Sequence, residues 1–189
     1  MQFSIIETPH LVLRKIRHED IDDMFNYASD PLVAQYTSWN PHPSLETTTK
    51  VVNRIIQSYE NDAPLTWAIE CKKNNQMIGT GGFVEWDRVT RKAEFGFALS
   101  RQHWNKGFGT EILNELIKYG FKSMNLNRIQ GICDSNNNGC SRVMEKSGMT
   151  FEGELRDSYI KNDQYLDVKI YSMLRKEFES KFPTVNRDT

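Results

Sequence analysis

The sequence predicts a mixed α/β fold, and three observations carry that prediction. Segments with an apolar residue at every second position are interleaved with segments whose apolar residues recur every three or four. Read in chain order they give βααβββαβαββ, with no internal repeat, linker or low-complexity tract. A length of 189 residues with 38% hydrophobic side chains suits one domain, expected to span 1–189, with enough apolar mass for a core.

Each element has its own warrant. "HLVLRKI" alternates as a short strand, and "HEDIDDMFNYASD" follows as a helix with an acidic first turn, ended by Pro31. "PSLETTTKVVNRIIQSYEND" is a second helix. Ser44 and Thr47 form an incomplete capping box there, and Val51, Val52, Ile55, Ile56 and Tyr59 make the apolar stripe. Three strands come next, "LTWAIECK", "QMIGTGGFVEW" and "RKAEFGFALS", with polar "KKNNQ" as the turn between the first two. A helix from Lys106 to Met124 then places Phe108, Ile112, Leu113, Leu116, Ile117, Gly120 and Phe121 on one face. "RIQGICD" reads as a strand, and "SNNNGCSRVMEKSG" as a short helix begun by asparagines and stopped by Gly148. "MTFEGELRDSYI" and "YLDVKIYSML" close the fold as strands joined by "KNDQ", and "RKEFESKFPTVNRDT" is expected to be a frayed helical tail.

Charge and cysteine usage narrow the function classes. The 24 basic and 25 acidic residues leave a formal net charge of −1, not the basic surplus of a nucleic-acid binder. "MQFSIIETPH" lacks the basic-then-apolar pattern of a signal peptide, and no stretch reaches membrane-spanning length, so no membrane association is expected. Cys71, Cys133 and Cys140 are odd in number, and no CxxC or HxxxH pattern occurs. A reduced, cytoplasmic protein without a structural metal is the expectation.

The informative stretch is "SRQHWNKGFGTEIL", where Gly107 and Gly109 lie between a strand and a helix. A helix N-terminus has unpaired N–H groups and a partial positive charge, so it is a ready phosphate site, and glycine lets a diphosphate come close. The dinucleotide pattern GxGxxG fails, with Val84 or Ile112 in the sixth position, and no GxxxxGK[ST] loop occurs. What remains is GxG after a strand with Lys106 alongside, which is either a turn or an anion site.

The surroundings of this pair resemble the GNAT N-acetyltransferases, specifically the ribosomal-protein-alanine (RimJ/RimL-like) branch. The superfamily's V-x4-Q/R-x-x-G-x-G/A is met by Leu99, Trp104, Gly107 and Gly109. The branch's E-x-G-Y is met by Glu94, Gly96 and Phe97, and its Y-W-G-K-G-Y-A-T-E by "HWNKGFGTE". A second block, N-x-x-S-x-x-V-x-E-K-x-G, is matched by Asn137, Val143, Glu145, Lys146 and Gly148, with Cys140 where serine is usual. The ends "TPHLVLRKIRHEDIDDMF" and "DVKIYSMLRKEF" look like the family's ends, so the resemblance covers nearly the whole chain.

The resemblance implies a single GNAT domain, with a mixed, mostly antiparallel central sheet flanked by helices. It also implies acetyl-CoA as co-substrate, with no metal. The pyrophosphate would lie on backbone N–H groups of Trp104, Asn105, Lys106, Gly107, Phe108, Gly109 and Thr110. The pantetheine arm would pair like an added strand with Phe97 and Leu99. Asn105 stands where the family has glycine. Lys106 either adds charge at the phosphates or is simply solvated. Asn137 would bond the cofactor, cap its helix, or both, and Asn136 or Asn138 could take the capping instead.

Acetyl transfer needs a neutral amine, a donor for the developing oxyanion and a proton for the leaving thiolate. Glu94 is the candidate base, acting through water. It shares a strand face with Gly96, Ala98 and Ser100, opposite Ala93, Phe95, Phe97 and Leu99; the alternative is an ordinary surface carboxylate. Cys140 is the second catalytic candidate, its sulfur expected at the mouth of the cleft facing the CoA thiol, or else simply packed. Trp39 either shapes the acceptor pocket or packs under a loop. The expected activity is acetylation of a primary amine, a protein N-terminus in this branch. A small amine (polyamine, amino acid or antibiotic) or a non-catalytic acyl-CoA-binding role are the rivals. Relatives include monomers and dimers, which leaves a homodimer open.

Overall fold

In a computed structural model, residues 3–60 and 65–182 are described. The chain begins with a two-residue strand β1 (Ile6–Glu7) paired with β2 (Leu11–Arg14), where the sequence suggested one strand only. Helix α1 (Ile21–Ala28) is followed by a one-turn α2 (Pro31–Ala34) and by α3 (Leu45–Ser58). Pro31 therefore does more than stop α1. It opens α2, with Asp30 accepting from the Leu32 amide as N-cap, the position where proline's missing N–H costs nothing. Ser44 caps α3 by accepting from Thr47 N, as expected.

Strands β3 (Thr66–Cys71), β4 (Gln76–Asp87) and β5 (Lys92–Leu99) form a meander. Helix α4 (Phe108–Lys122) leads to β6 (Arg128–Asp134), α5 (Asn138–Lys146) to β7 (Thr150–Lys161), and β8 (Gln164–Leu174) to α6 (Arg175–Lys181). Among the described residues, eight strands form one sheet ordered β1-β2-β3-β4-β5-β6-β8-β7, antiparallel throughout except for the parallel β5–β6 pair. That pair needs a crossover, which α4 supplies. The β7–β8 turn uses Asn162 and Asp163, both at positive φ (50° and 61°), the two-residue geometry that matches strand twist.

Two apolar clusters sandwich the sheet. One joins Ile112, Leu116 and Phe121 of α4 and Met144 of α5 to Trp67, Phe83 and Phe95. The other joins Met24 and Tyr27 of α1 and Val52 of α3 to Ala68 and Met77, with Trp39 and Ala98 packed at its side. The expected frayed tail is corrected over 175–181: α6 docks through buried Phe178, whose ring lies 4.9 Å from that of Phe121. Residues 183–189 of that tail lie outside the described residues.

Candidate active site

The site begins where two strands part. Strands β5 and β6 pair only at Lys92, Ala93 and Glu94, opposite Arg128, Ile129 and Gln130. Beyond that rung β5 continues to Leu99 along β4, and β6 continues to Asp134 along β8. Among the described residues, no ladder joins the two, so a wedge opens towards their C-terminal ends. Ser100 N donates to Ile78 O at 2.7 Å, in register with the Gly79–Leu99 pair. Antiparallel bonding alternates, so Ala98 and Gly96 also bond to β4 while the backbones of Phe97 and Leu99 face the wedge. Such groups need partners, and an extended amide-bearing chain is a natural one. The Leu99 carbonyl already accepts from Trp104 Nε1 at 2.8 Å.

The helix beyond the mouth starts two residues later than the sequence suggested. Gly107, at φ 84°, is the N-cap of α4, and Asn105 at φ 58° also turns left-handed. The first bond of the helix runs from Glu111 N to Gly107 O at 3.0 Å, so the amides of Phe108, Gly109 and Thr110 are not claimed by it. A Cβ on Gly107 would meet nothing within 4 Å, leaving open space above these amides. One expectation for this loop is corrected. The Trp104 amide is spent on Arg101 O at 3.2 Å, within a short 3-10 turn. Gly109 keeps its amide free of the helix bonding, and its lack of a side chain makes room for protein: a Cβ there would lie 3.1 Å from Val143 Cγ2 and 3.4 Å from the Phe97 ring. Lys106 is exposed, and Phe108 sits between the rings of His10 and His103.

Glu94 occupies the last rung before the strands separate, and its Oε2 accepts from Gln130 Nε2 at 3.1 Å. Burial raises its pKa, Glu85 adds repulsion, and Gln130 and Lys92 pull the other way. A carboxyl held above its ordinary range is better matched to taking a proton near neutrality. Gln130 Oε1 in turn accepts from Arg128 Nε at 3.2 Å, and Arg128 grips Glu152 with two bonds of 2.7 and 2.5 Å. Ser172 Oγ also donates to Glu152 at 2.6 Å. Gln130, Arg128, Glu152 and Ser172 were missed in the sequence. Strand alternation marks their faces, but only the register of β6, β7 and β8 puts them together.

Asn137 is the N-cap of α5, its Oδ1 accepting from Cys140 N at 3.0 Å, so the capping duty falls to it and not to Asn136 or Asn138. The cysteine expected at the cleft mouth is half-buried: Cys140 packs at the edge of the first apolar cluster, beside Cys133 of β6. Its hydrogen bond to Cys133, and then burial, push its pKa well up. Cys133 moves down, through that same bond and the Ser141 hydroxyl 3.5 Å away. All three cysteines are free thiols. Trp39 packs in the second cluster with its ring 5.5 Å from that of His42. No group of three or more metal-ligating side chains occurs among the described residues.

A sheet parted at its centre, with a left-handed glycine and unclaimed helix amides at the mouth, is the frame of an acyl-CoA-dependent transferase. Known proteins agree. Residues 10–150 match the family described as acetyltransferase (GNAT) domain. The chain is 33% identical to the uncharacterized N-acetyltransferase p20 of Bacillus licheniformis, over 90% of this chain and 96% of that one. A solved acetyltransferase (GNAT family) from Bacillus anthracis superposes with a TM-score of 0.82 at 28% identity, covering 92% of this chain and all of the other. Some relatives carry an acceptor in their names. The spermidine N(1)-acetyltransferase of Vibrio cholerae is 25% identical over 89% of this chain and 95% of its own. The putative ribosomal N-acetyltransferase YdaF of Bacillus subtilis is 38% identical over 49% of this chain and 51% of its own. The chain belongs to the GNAT acetyltransferase family. It is an N-acetyltransferase with acetyl-CoA as its co-substrate.

Proposed function

We propose a cytosolic enzyme that acetylates a primary amine by direct attack on acetyl-CoA, with a protein N-terminus as acceptor. The observation that carries it is Glu94, half-buried on the last rung of the wedge with its pKa raised by burial. The pantetheine would run along Phe97 and Leu99, and the diphosphate would rest on the amides from Asn105 to Thr110, with Lys106 nearby and the Asn137 amide beside the arm. The amine nitrogen attacks the thioester carbon and the C–S bond breaks. The ammonium proton passes through water to Glu94, and Cys140, kept protonated by its surroundings, supplies the proton for the departing sulfur. Free thiols support the cytosolic setting.

An α-amino group, with a pKa of about 7.7–8.0, is far easier for such a base to neutralise than an alkyl amine near about 10.4. That favours an N-terminus. The second reading, a polyamine, is favoured by the negative charge of Glu85 beside Glu94 and by the full-length match to a spermidine enzyme. Thiol release with alanine-initial peptides and with spermidine separates them. A higher kcat/KM for the peptides is expected; a clear preference for spermidine transfers the proposal to polyamines.

A further inference from the structure

Four backbone carbonyls converge on one ammonium at the far side of the wedge. Lys161 Nζ, at the tip of the β7–β8 hairpin, donates to Ala34 O at 2.5 Å and Thr37 O at 2.7 Å. Gln35 O at 3.2 Å and Trp39 O at 3.4 Å complete the ring. An ammonium has three protons and no acceptor, and carbonyls left at the end of α2 are its natural partners. A second bond, Asn40 Nδ2 to Asn162 Oδ1 at 3.0 Å, ties the same two segments together. These contacts link residues more than 120 positions apart.

The other end of this segment is anchored across the gap. Asp30 pairs with Arg101 at 2.9 Å, two residues past the end of β5. Lys161 ends β7, and its hairpin runs past the last residue of β6: the β6–β8 ladder stops at Asp134 and Val168, while the β7–β8 ladder goes on to Lys161 and Gln164. Residues 30–40 therefore run from the β5 side of the mouth to the β6 side. They do so on the face that carries α1 and α3, where Trp39 and Ala98 join the same apolar cluster. Glu94 and Ala98 share that face.

We propose that Lys161 is a positioning residue for the acceptor: its ammonium holds residues 34–39 as a strap across the wedge mouth, and the strap bounds the space in which the amine meets the thioester. This rests on the acetyl-transfer reading of the wedge. On that reading the diphosphate would rest on the amides that open α4 and not on residues 34–39, so the clamp would act on the acceptor and not on acetyl-CoA. Ala34 O and Trp39 O also accept from the Thr37 hydroxyl, at 3.0 Å each, so an apolar group in place of the ammonium takes the charged donor from Gln35 O and Thr37 O in particular.

Lys161→Met keeps the length and the apolar stem while removing the donor. The expected result is a rise of about tenfold in acceptor KM, the scale of one or two lost charged hydrogen bonds, with acetyl-CoA KM within about twofold of wild type. Hydrogen exchange of the 33–40 amides should quicken in the variant, with the rest of the chain unchanged. An unchanged acceptor KM, or an equal rise for both substrates with a fall in Tm, overturns the proposal. If Lys161→Met does not fold, Lys161→Arg, whose planar fork cannot gather four carbonyls around one nitrogen, is read in the same way. If the wild type turns over no amine, the acetyl-transfer reading fails by itself. The strap is then judged by exchange alone, and equal rates in both proteins refute it.

Discussion

Glu94→Gln removes one charge and almost no volume at the point where the wedge closes. The carboxylate bonds Gln130 at 3.1 Å, and a glutamine can keep a bond there, so the frame should survive. Removing a positioned base costs about 10²–10⁴ in rate, and a base working through water belongs at the low end, about 10² in kcat/KM at pH 7. The loss should shrink at alkaline pH, where the amine is neutral without help. Stability should move the other way. The folded carboxyl has its pKa raised, chiefly by burial, so it binds its proton more tightly folded than unfolded. Folding stability therefore falls as pH rises from the ordinary carboxylate pKa of about 4.3 through the raised value, and the cost stays in full above it. At pH 7 the glutamine variant escapes that cost and should melt no lower than wild type. Steady-state thiol release from pH 6 to 10, with Tm at pH 7 and acetyl-CoA affinity by calorimetry, tests all three. A rate ratio near one at every pH would leave Glu94 a bystander, and a parallel loss of acetyl-CoA affinity would show that the substitution damaged the frame.

Gly107→Glu should weaken acetyl-CoA binding at least about 100-fold in calorimetry, because it adds a charge above the helix amides and a side chain at a left-handed position costing about 1–2 kcal/mol. Wild-type affinity would remove the diphosphate from this loop. Cys140 should react with iodoacetamide at pH 8 far more slowly than an open thiol of pKa about 8.5, with or without acetyl-CoA, and Cys140→Ser should keep activity within a few-fold. Fast labelling by peptide mapping would contradict a thiol held protonated beside Cys133. Glu152 is held down to about 2, first by Arg128 and then by Ser172. Its contribution to stability is complete above the ordinary pKa of about 4.3 and is lost as pH falls towards 2, so the Tm difference between wild type and Glu152→Gln should vanish over that range. A difference that persists at pH 2 would refute it.

What the sequence determined by itself is local. Ser44 as a cap, an asparagine cap for α5, the alternation of β5, the glycine before α4 and the turn after Lys161 each depend on neighbours within four residues. Such neighbours are fixed by helical and strand geometry before any packing occurs. Gly107 and Glu94 were legible for that reason, one as a backbone position only glycine takes easily and the other as a carboxylate on a strand face of small residues. The tertiary structure alone decided how these pieces serve the site. Gly109 gains a packing reason only where α5 brings Val143 against it, and Cys140 gains its partner only where β6 brings Cys133 beside it. Phe178 turned the presumed loose tail into a docked helix by finding Phe121, more than fifty residues earlier in the chain. The parting of β5 from β6, the chain from Glu94 through Gln130 and Arg128 to Glu152, and the grip of Lys161 on the 34–39 segment depend on strand register across the sheet. Register is set by which apolar faces the whole core can bury at once, and no window of neighbouring residues contains that information.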